Sequence, residues 1–304
     1  MKKILVTGSN GLLGQKLSDL FIAKEGYTLL ATGKGPDRYA VAHPRYSYSE
    51  MDITKEEDVM RVVTAFKPDA IIHGAAMTQV DDCEKNPDLC NLMNVEATRF
   101  VANAAKACGA HLVHISTDFI FNGTEGPLEE SAVPDPISIY GQSKLDAEIL
   151  IQETQDLSWV ILRTVLVYGV VKDMSRSNIV LWVKGSLEAG KTINVVTDQF
   201  RTPTLAEDLA EACRLAIDQT AKGVYHISSD ELMSPYDIAV KTAEYFHLDK
   251  NLIQAATSAT FTQPAKRPPR TGFIIDKARK ELMYSPHTFS EGLALLEKQL
   301  NKNA

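Results

Sequence analysis

Residues Ile4-Leu-Val-Thr-Gly8-Ser-Asn10-Gly11-Leu12-Leu13-Gly14 constrain the fold more than any other stretch of the chain. A short apolar, β-rich run opens into three glycines spaced G-x-x-G-x-x-G, and an amphipathic helical pattern, Leu12–Ala23, follows at once. Glycine permits a tight turn, close approach of backbone to a pyrophosphate, and close packing of helix on strand. The start of the helix offers unpaired N–H groups and the positive end of its dipole at the same place. Three glycines alone carry little weight. Directly between a first strand and a first helix, they predict a dinucleotide-binding loop. Gly8, Asn10, Gly11, Leu12, Leu13 and Gly14 are the candidate cofactor-binding residues of that loop.

The rest of the first half supports this. Strand-like runs at Thr28–Thr32, Ala70–Gly74 and Leu112–Ser116 alternate with helical patterns at Lys55–Phe66 and Cys90–Cys108. A helix, Ile139–Glu153, and a strand, Trp159–Val167, come next. Strands that alternate with helices of this length imply βαβ units, and nearly all-apolar strands imply helices on both faces. The predicted fold class is α/β, a doubly wound parallel Rossmann sheet with a smaller C-terminal substrate lobe. Beyond about residue 170 the rhythm changes. Helical segments Ile179–Ala189, Leu205–Asp218, Pro235–Phe246 and Ser290–Leu300 are separated by short strands, Ile193–Val196 and Val224–Ser228, and by a proline-rich loop, Gln263–Arg270. The expected division is 1–170 for the cofactor domain, with part of 190–225 returning to it, and 171–304 for a discontinuous lobe.

Charge and composition exclude several classes. The formal net charge is −7 over 304 residues, which gives no global attraction to nucleic acid or an anionic membrane. No apolar run has the roughly 18 residues of a membrane span, and Met1-Lys-Lys leads straight into the first strand without a signal-like core. The four cysteines form no C-x-x-C pair, so reduced thiols in a cytoplasmic protein are expected and no metal site is assigned.

In a dinucleotide domain an acid normally closes the second strand and binds the ribose. Here that place reads Thr32-Gly33-Lys34-Gly-Pro-Asp-Arg38. Lys34 and Arg38 suit a 2′-phosphate, so NADP(H) is the preferred cofactor and NAD(H) stays open.

Tyr140-Gly-Gln-Ser-Lys144 is the second informative motif. Residues four apart share a helix face. An ammonium beside a phenol lowers its pKa from about 10 toward the working range, which makes Tyr140 a general acid. Ser116-Thr117-Asp118 stands at the C-terminal end of an apolar strand, the edge where open α/β sheets bind ligands, and supplies a hydroxyl for a carbonyl oxygen.

These three motifs together resemble the extended short-chain dehydrogenase/reductase family. His73-Gly-Ala-Ala-Met-Thr-Gln-Val-Asp81, Arg163-Thr-Val-Leu-Val-Tyr168, Asp198-Gln-Phe-Arg-Thr-Pro-Thr204 and Arg267-Pro268 are similar, within it, to the dTDP-4-dehydrorhamnose reductases, over residues 1 to about 285. The resemblance implies NAD(P)H-dependent reduction of the 4-keto group of a dTDP-6-deoxyhexose. Tyr140 would be the proton donor, Lys144 its tuner and ribose ligand, and Thr117 the hydroxyl that orients the ketone. Gly11, Leu12 and Leu13 would line the pyrophosphate and Asp52 and Ile53 the adenine. Ala75, Ala76, Met77 and Ile115 would run along the cofactor. Asp118, Leu166, Gln199 and Arg267 would join Thr117 on the nucleotide-sugar substrate, with Arg267 at its diphosphate. A homodimer is the assembly implied. Two positions depart from the pattern: Leu166 stands where such reductases often carry tryptophan, and Arg201 where many carry glycine. The same features resemble the non-catalytic β subunit of methionine adenosyltransferase. A cofactor-binding regulatory module and a nucleotide-sugar epimerase or dehydratase are therefore the alternatives.

Other residues read more plainly. Asp81, Asp82 and Glu84 suit a solvated helix start, with a metal or dimer contact as the alternative. His73 inside an apolar strand reads as a packed core imidazole, His111 and His114 as strand residues without metal-ligand spacing, and Trp182 as lobe core or interface.

Overall fold

A computed structural model describes residues 1–172 and 177–303. The first half supplies β1 (Lys2–Thr7), β2 (Tyr27–Gly33), β3 (Tyr46–Glu50), β4 (Ala70–His73), β5 (His111–Thr117) and β6 (Trp159–Thr164). Further on come β7 (Val167–Tyr168), β8 (Ile193–Val196), β9 (Thr204–Leu205), β10 (Gly223–Ile227) and β11 (Ile253–Ala256). Seven of them form one sheet in the order β10-β6-β5-β4-β1-β2-β3, and every neighbouring pair in it is parallel. The order reverses between β1 and β4, which places the C-terminal ends of these strands at the switch point where such sheets bind ligands.

Both faces of the sheet are covered. On one side α1 (Leu12–Ala23) packs with Ile4, Val6, Leu17, Phe21 and Leu29; on the other, α2 (Glu56–Phe66) packs Val59 and Val62 with Leu5 and Ile71. Successive β1 residues thus enter opposite cores, which is why the strand is apolar throughout. After β4 run α3 (Val80–Lys85), α4 (Pro87–Asn91), α5 (Ala97–Cys108) and α6 (Ile139–Glu153). The lobe adds α7 (Ile179–Glu188), α8 (Ala206–Gln219), α9 (Pro235–Tyr245) and α10 (Phe289–Asn303). Of these, α8 lies against the sheet's α1 face through Leu209, Ala212 and Cys213, whereas α7 and α9 build a separate small core with β8 and β11.

Three expectations change. The helical pattern Cys90–Cys108 is interrupted by a π-helical turn, Leu92–Glu96. Asn94, within it, turns its side chain inward to the backbone of Met77 and the hydroxyl of Ser143. A widened turn of this kind is how a helix delivers a polar side chain sideways, and such turns recur at functional sites. The strand expected over Trp159–Val167 stops at Thr164, where the Val165 N–H and C=O are taken by the Thr204 hydroxyl and Leu166 adopts a left-handed φ of 39°. Trp182 is 41% exposed on α7, not lobe core. No helix of the described residues is long and apolar enough to cross a membrane.

Candidate active site

The glycine loop borders a cavity of about 660 Å³ at the C-terminal edge of the sheet. The three glycines serve different purposes. A Cβ at Gly14 would stand 2.4 Å from the Ser9 Cα and 2.5 Å from the Gly8 oxygen, so α1 can pack on the loop only with glycine there. Gly8 has a φ of +71° and no room against Ala75. Gly11 has an ordinary φ of −84°, and a Cβ would meet only the Gly8 oxygen, at 3.3 Å. The protein's own packing explains Gly8 and Gly14, whereas Gly11 stands at the cavity wall. No side chain caps α1 and its first turn holds no acid. Its free N–H groups therefore face the cavity with their positive dipole end, a fit for a pyrophosphate.

Most of the predicted cofactor residues meet here. Gly8, Asn10, Gly11, Leu12, Leu13 and Gly14 line the cavity, as do Lys34, Arg38, Asp52, Ile53, Ala75 and Ala76. The Asn10 side chain holds the turn after β2, donating to the Pro36 oxygen and accepting from the Arg38 N–H. Lys34 is 79% exposed and lies 3.1 Å from Asp52, whose carboxyl is held low by the Thr54 hydroxyl and by Lys34. Leu89, Leu92 and Met93, which the sequence did not single out, close another wall. Their helix is broken by the Asn94 turn, and no local pattern announces that break. Ile115 is not brought to the cavity; it packs into the sheet's core.

Beyond Ala76 lies the second constellation. Met77, Cys83, Cys90 and Phe119 surround the Tyr140 ring, which is 8% exposed. The Thr117 hydroxyl at the end of β5 lies beside the phenol and favours its ionised form. Ser138 caps α6 by accepting from the Gly141 N–H, and Gly141 lies so close to the Phe119 backbone that a Cβ would be 2.2 Å from its oxygen. These contacts seat the helix start, and Tyr140 with it, against the strand end.

The electrostatics differ from the expectation. The Tyr140 pKa is raised, not lowered: burial dominates and the Asp118 carboxylate adds to it. The Lys144 ammonium is directed instead to His114, with Nζ 3.1 Å from Nε2. Burial pulls Lys144 itself down to about 8. The phenol is therefore held protonated, the form a proton donor requires.

On the substrate side the predicted residues are more engaged with the protein than expected. Asp118 is buried; it accepts from Thr117 and Thr271 and faces the Arg201 guanidinium at 3.5 Å. Arg201 also donates to the Pro268 oxygen, 2.6 Å away. Leu166 packs between the sheet core and the lobe core, and Gln199 is buried in its loop. Arg267 is not a free cation. It pairs with Asp81 through both terminal nitrogens, at 3.2 and 2.9 Å. Asp81 is thus no merely solvated helix-start acid, and Glu84 accepts from the Ile139 N–H at the start of α6. His73 is a core imidazole bonded to Thr7 and Thr98. Among the described residues no group of three or more His, Cys, Asp or Glu could hold a metal ion.

A family model described as RmlD substrate binding domain matches residues 1–302. The chain is 32% identical over 261 residues to methionine adenosyltransferase 2 subunit beta of Xenopus laevis, covering 84% of this chain and 75% of that one. It is 32% identical over 296 residues to Agl14 of Haloferax volcanii, a probable low-salt glycan biosynthesis reductase, covering 96% of each. The crystal structure of dTDP-4-dehydrorhamnose reductase from Bacillus anthracis in complex with NADP superimposes with a TM-score of 0.84 at 29% identity, covering 98% of this chain and 100% of that one.

Proposed function

The chain belongs to the RmlD substrate binding domain family, and from that premise we propose that it reduces the 4-keto group of a dTDP-6-deoxyhexose with NADPH. The observation that carries this reading is the buried Tyr140 phenol beside Thr117 at the same sheet edge as the glycine-lined cavity. The first turn of α1 would hold the pyrophosphate. Lys34 and Arg38 would hold the 2′-phosphate, with Lys34 exchanging Asp52 for it. When bound, NADPH supplies a hydride to the keto carbon. Thr117 orients the ketone oxygen, and Tyr140 gives that oxygen its proton, so that ketone, hydride and proton become a secondary alcohol. Lys144, one turn along α6, offsets the charge on the phenolate that Tyr140 becomes.

Purified protein with NADPH and dTDP-4-dehydrorhamnose is expected to deplete the near-ultraviolet absorbance of NADPH. Folded protein that binds NADPH without consuming it would support a regulatory role instead, a reading favoured by the similarity to the Xenopus laevis subunit. Bound nucleotide that recycles without net consumption would indicate an epimerase or dehydratase.

The glycines give a second test. Gly11→Ala is expected to fold normally but to bind NADPH about tenfold or more weakly, since a charge-assisted hydrogen bond is worth roughly 1.5–3 kcal/mol. Gly14→Ala is expected to lower the melting temperature, because its methyl group would collide with backbone. Equal melting temperatures for the two variants would contradict this division of labour.

A further inference from the structure

His73 on β4 and His114 on β5 are register partners, each 1% exposed, with rings 5.5 Å apart. They are held differently. Both nitrogens of His73 are satisfied, Nδ1 at 2.8 Å from the Thr7 hydroxyl and Nε2 at 3.2 Å from that of Thr98. His114 has Lys144 at Nε2, whereas its Nδ1 is buried with no hydrogen-bond partner. An ammonium can only donate, so Nε2 accepts and the ring proton sits on Nδ1. A buried donor left unpaired is unfavourable, and an apolar side chain would fill the same space without that cost. Packing therefore gives no reason for an imidazole at this position, but its contact with Lys144, one turn from Tyr140, does.

We propose that His114 is a positioning residue for the reaction: by accepting one of the three N–H bonds of the Lys144 ammonium, it fixes that side chain at the sheet edge and favours its charged form. The remaining N–H bonds are left for the cofactor ribose and the Tyr140 oxygen. This rests on the proposed role of Lys144. The groups facing the ammonium are Glu148 on its own helix, Cys90 on α4, and the imidazoles of His114 and His73. Glu148 and Cys90 favour the charge, and burial opposes it. Burial first and Lys144 second pull both imidazoles far down, His73 to about 3, so both are neutral near pH 7. A neutral ring is an acceptor; an imidazolium would repel the lysine.

Lysine is cationic below its pKa and loses its charge above it. Removing the acceptor lowers that pKa, so functions that need the cation fail at lower pH. Two pH profiles test this: NADPH affinity by fluorescence, and turnover of dTDP-4-dehydrorhamnose. His114→Leu is expected to lower kcat by about tenfold or more and to move the alkaline limb of both profiles down by about one pH unit. His114→Gln, whose amide oxygen reaches the Nε2 position, is expected to restore both. Should the leucine variant fail to fold, His114→Asn, too short to reach Nζ, takes its place in the same comparison. Leucine-variant profiles that coincide with the parent's would overturn the proposal. So would equal losses in the leucine and glutamine variants with both limbs unmoved, the result of a purely structural imidazole. If the parent protein shows no turnover but the binding limb still moves in His114→Leu, the substrate reading fails and the Lys144–His114 pairing stands.

Discussion

Tyr140→Phe is expected to lower kcat by about 10²–10⁴-fold while leaving NADPH binding intact. Phenylalanine keeps the ring that packs on Cys83, Cys90 and Phe119, so the fold around it persists. What is lost is one oxygen, the atom that carries the transferable proton and lies beside Thr117. Steady-state turnover alongside NADPH fluorescence separates the two effects. A variant that keeps most of its turnover would remove Tyr140 from the reaction. Because burial holds the phenol protonated well above neutrality, loss of parent activity on moderate alkalinisation is assigned to Lys144, pulled down to about 8, and not to Tyr140.

Arg163→Met is expected to be strongly destabilising, more so than Tyr140→Phe. Arg163 on β6 meets Glu148 on α6 through Nε at 3.0 Å and a terminal nitrogen at 2.7 Å, with side chains 5% and 0% exposed. Its other terminal nitrogen lies 3.4 Å from His226 Nε2 on β10. The His226 ring in turn stacks on Phe273, with centroids 3.8 Å apart. Removing one member of such a pair strands the other charge in the interior, at a cost of about 3–5 kcal/mol. For a protein of 304 residues that corresponds to a fall in melting temperature of about 5–8 °C. The double variant Arg163→Met/Glu148→Leu is expected to recover much of the loss, because it leaves no unpaired charge. Thermal melts of the two variants decide the matter, and a single variant as stable as the parent would mean that Glu148 needs no partner.

The elements legible in the sequence were those with strong local signals. Leu12–Ala23 and Ile139–Glu153 have the bounds read from the sequence: the first is opened by the glycine loop, and the second follows a capping serine. By contrast, β3 has no strong local signal, because Tyr46-Ser-Tyr-Ser-Glu50 is a polar, half-exposed edge strand that resembles a loop. β11 is three-quarters made of residues with weak strand preference, Gln254, Ala255 and Ala256, and gains its form from pairing with β8. The interruption at Leu92–Glu96 contains neither glycine nor proline; it exists because Asn94 finds partners in Met77 and Ser143.

The candidate site divides in the same way. The residues of the glycine loop could be read in order because one contiguous segment builds that wall. The charge state of Tyr140 could not, since it depends on enclosure by residues from four separate elements. The pairing of Arg267 with Asp81 spans 186 positions, and that of Lys144 with His114 spans 30. Spacing within a helix suggested that the lysine would act on the tyrosine directly, but the ring on β5 offers a nearer acceptor.

The place of β10 at the margin of the central sheet has a consequence for how this chain can be cut or rearranged. After leaving the sheet at β6, the polypeptide passes through α7 and β8, returns through α8 and β10, and departs again for α9 and β11. No single scission therefore yields two self-sufficient halves. A fragment ending near residue 170 would expose the naked hydrogen-bonding edge of β6, a template for clumping with its own kind. A complementary fragment would carry a lone strand with nothing to lie beside. The two regions share several chain crossings in place of one linker, so any substrate-linked movement between them has to bend or slide several strands of chain together.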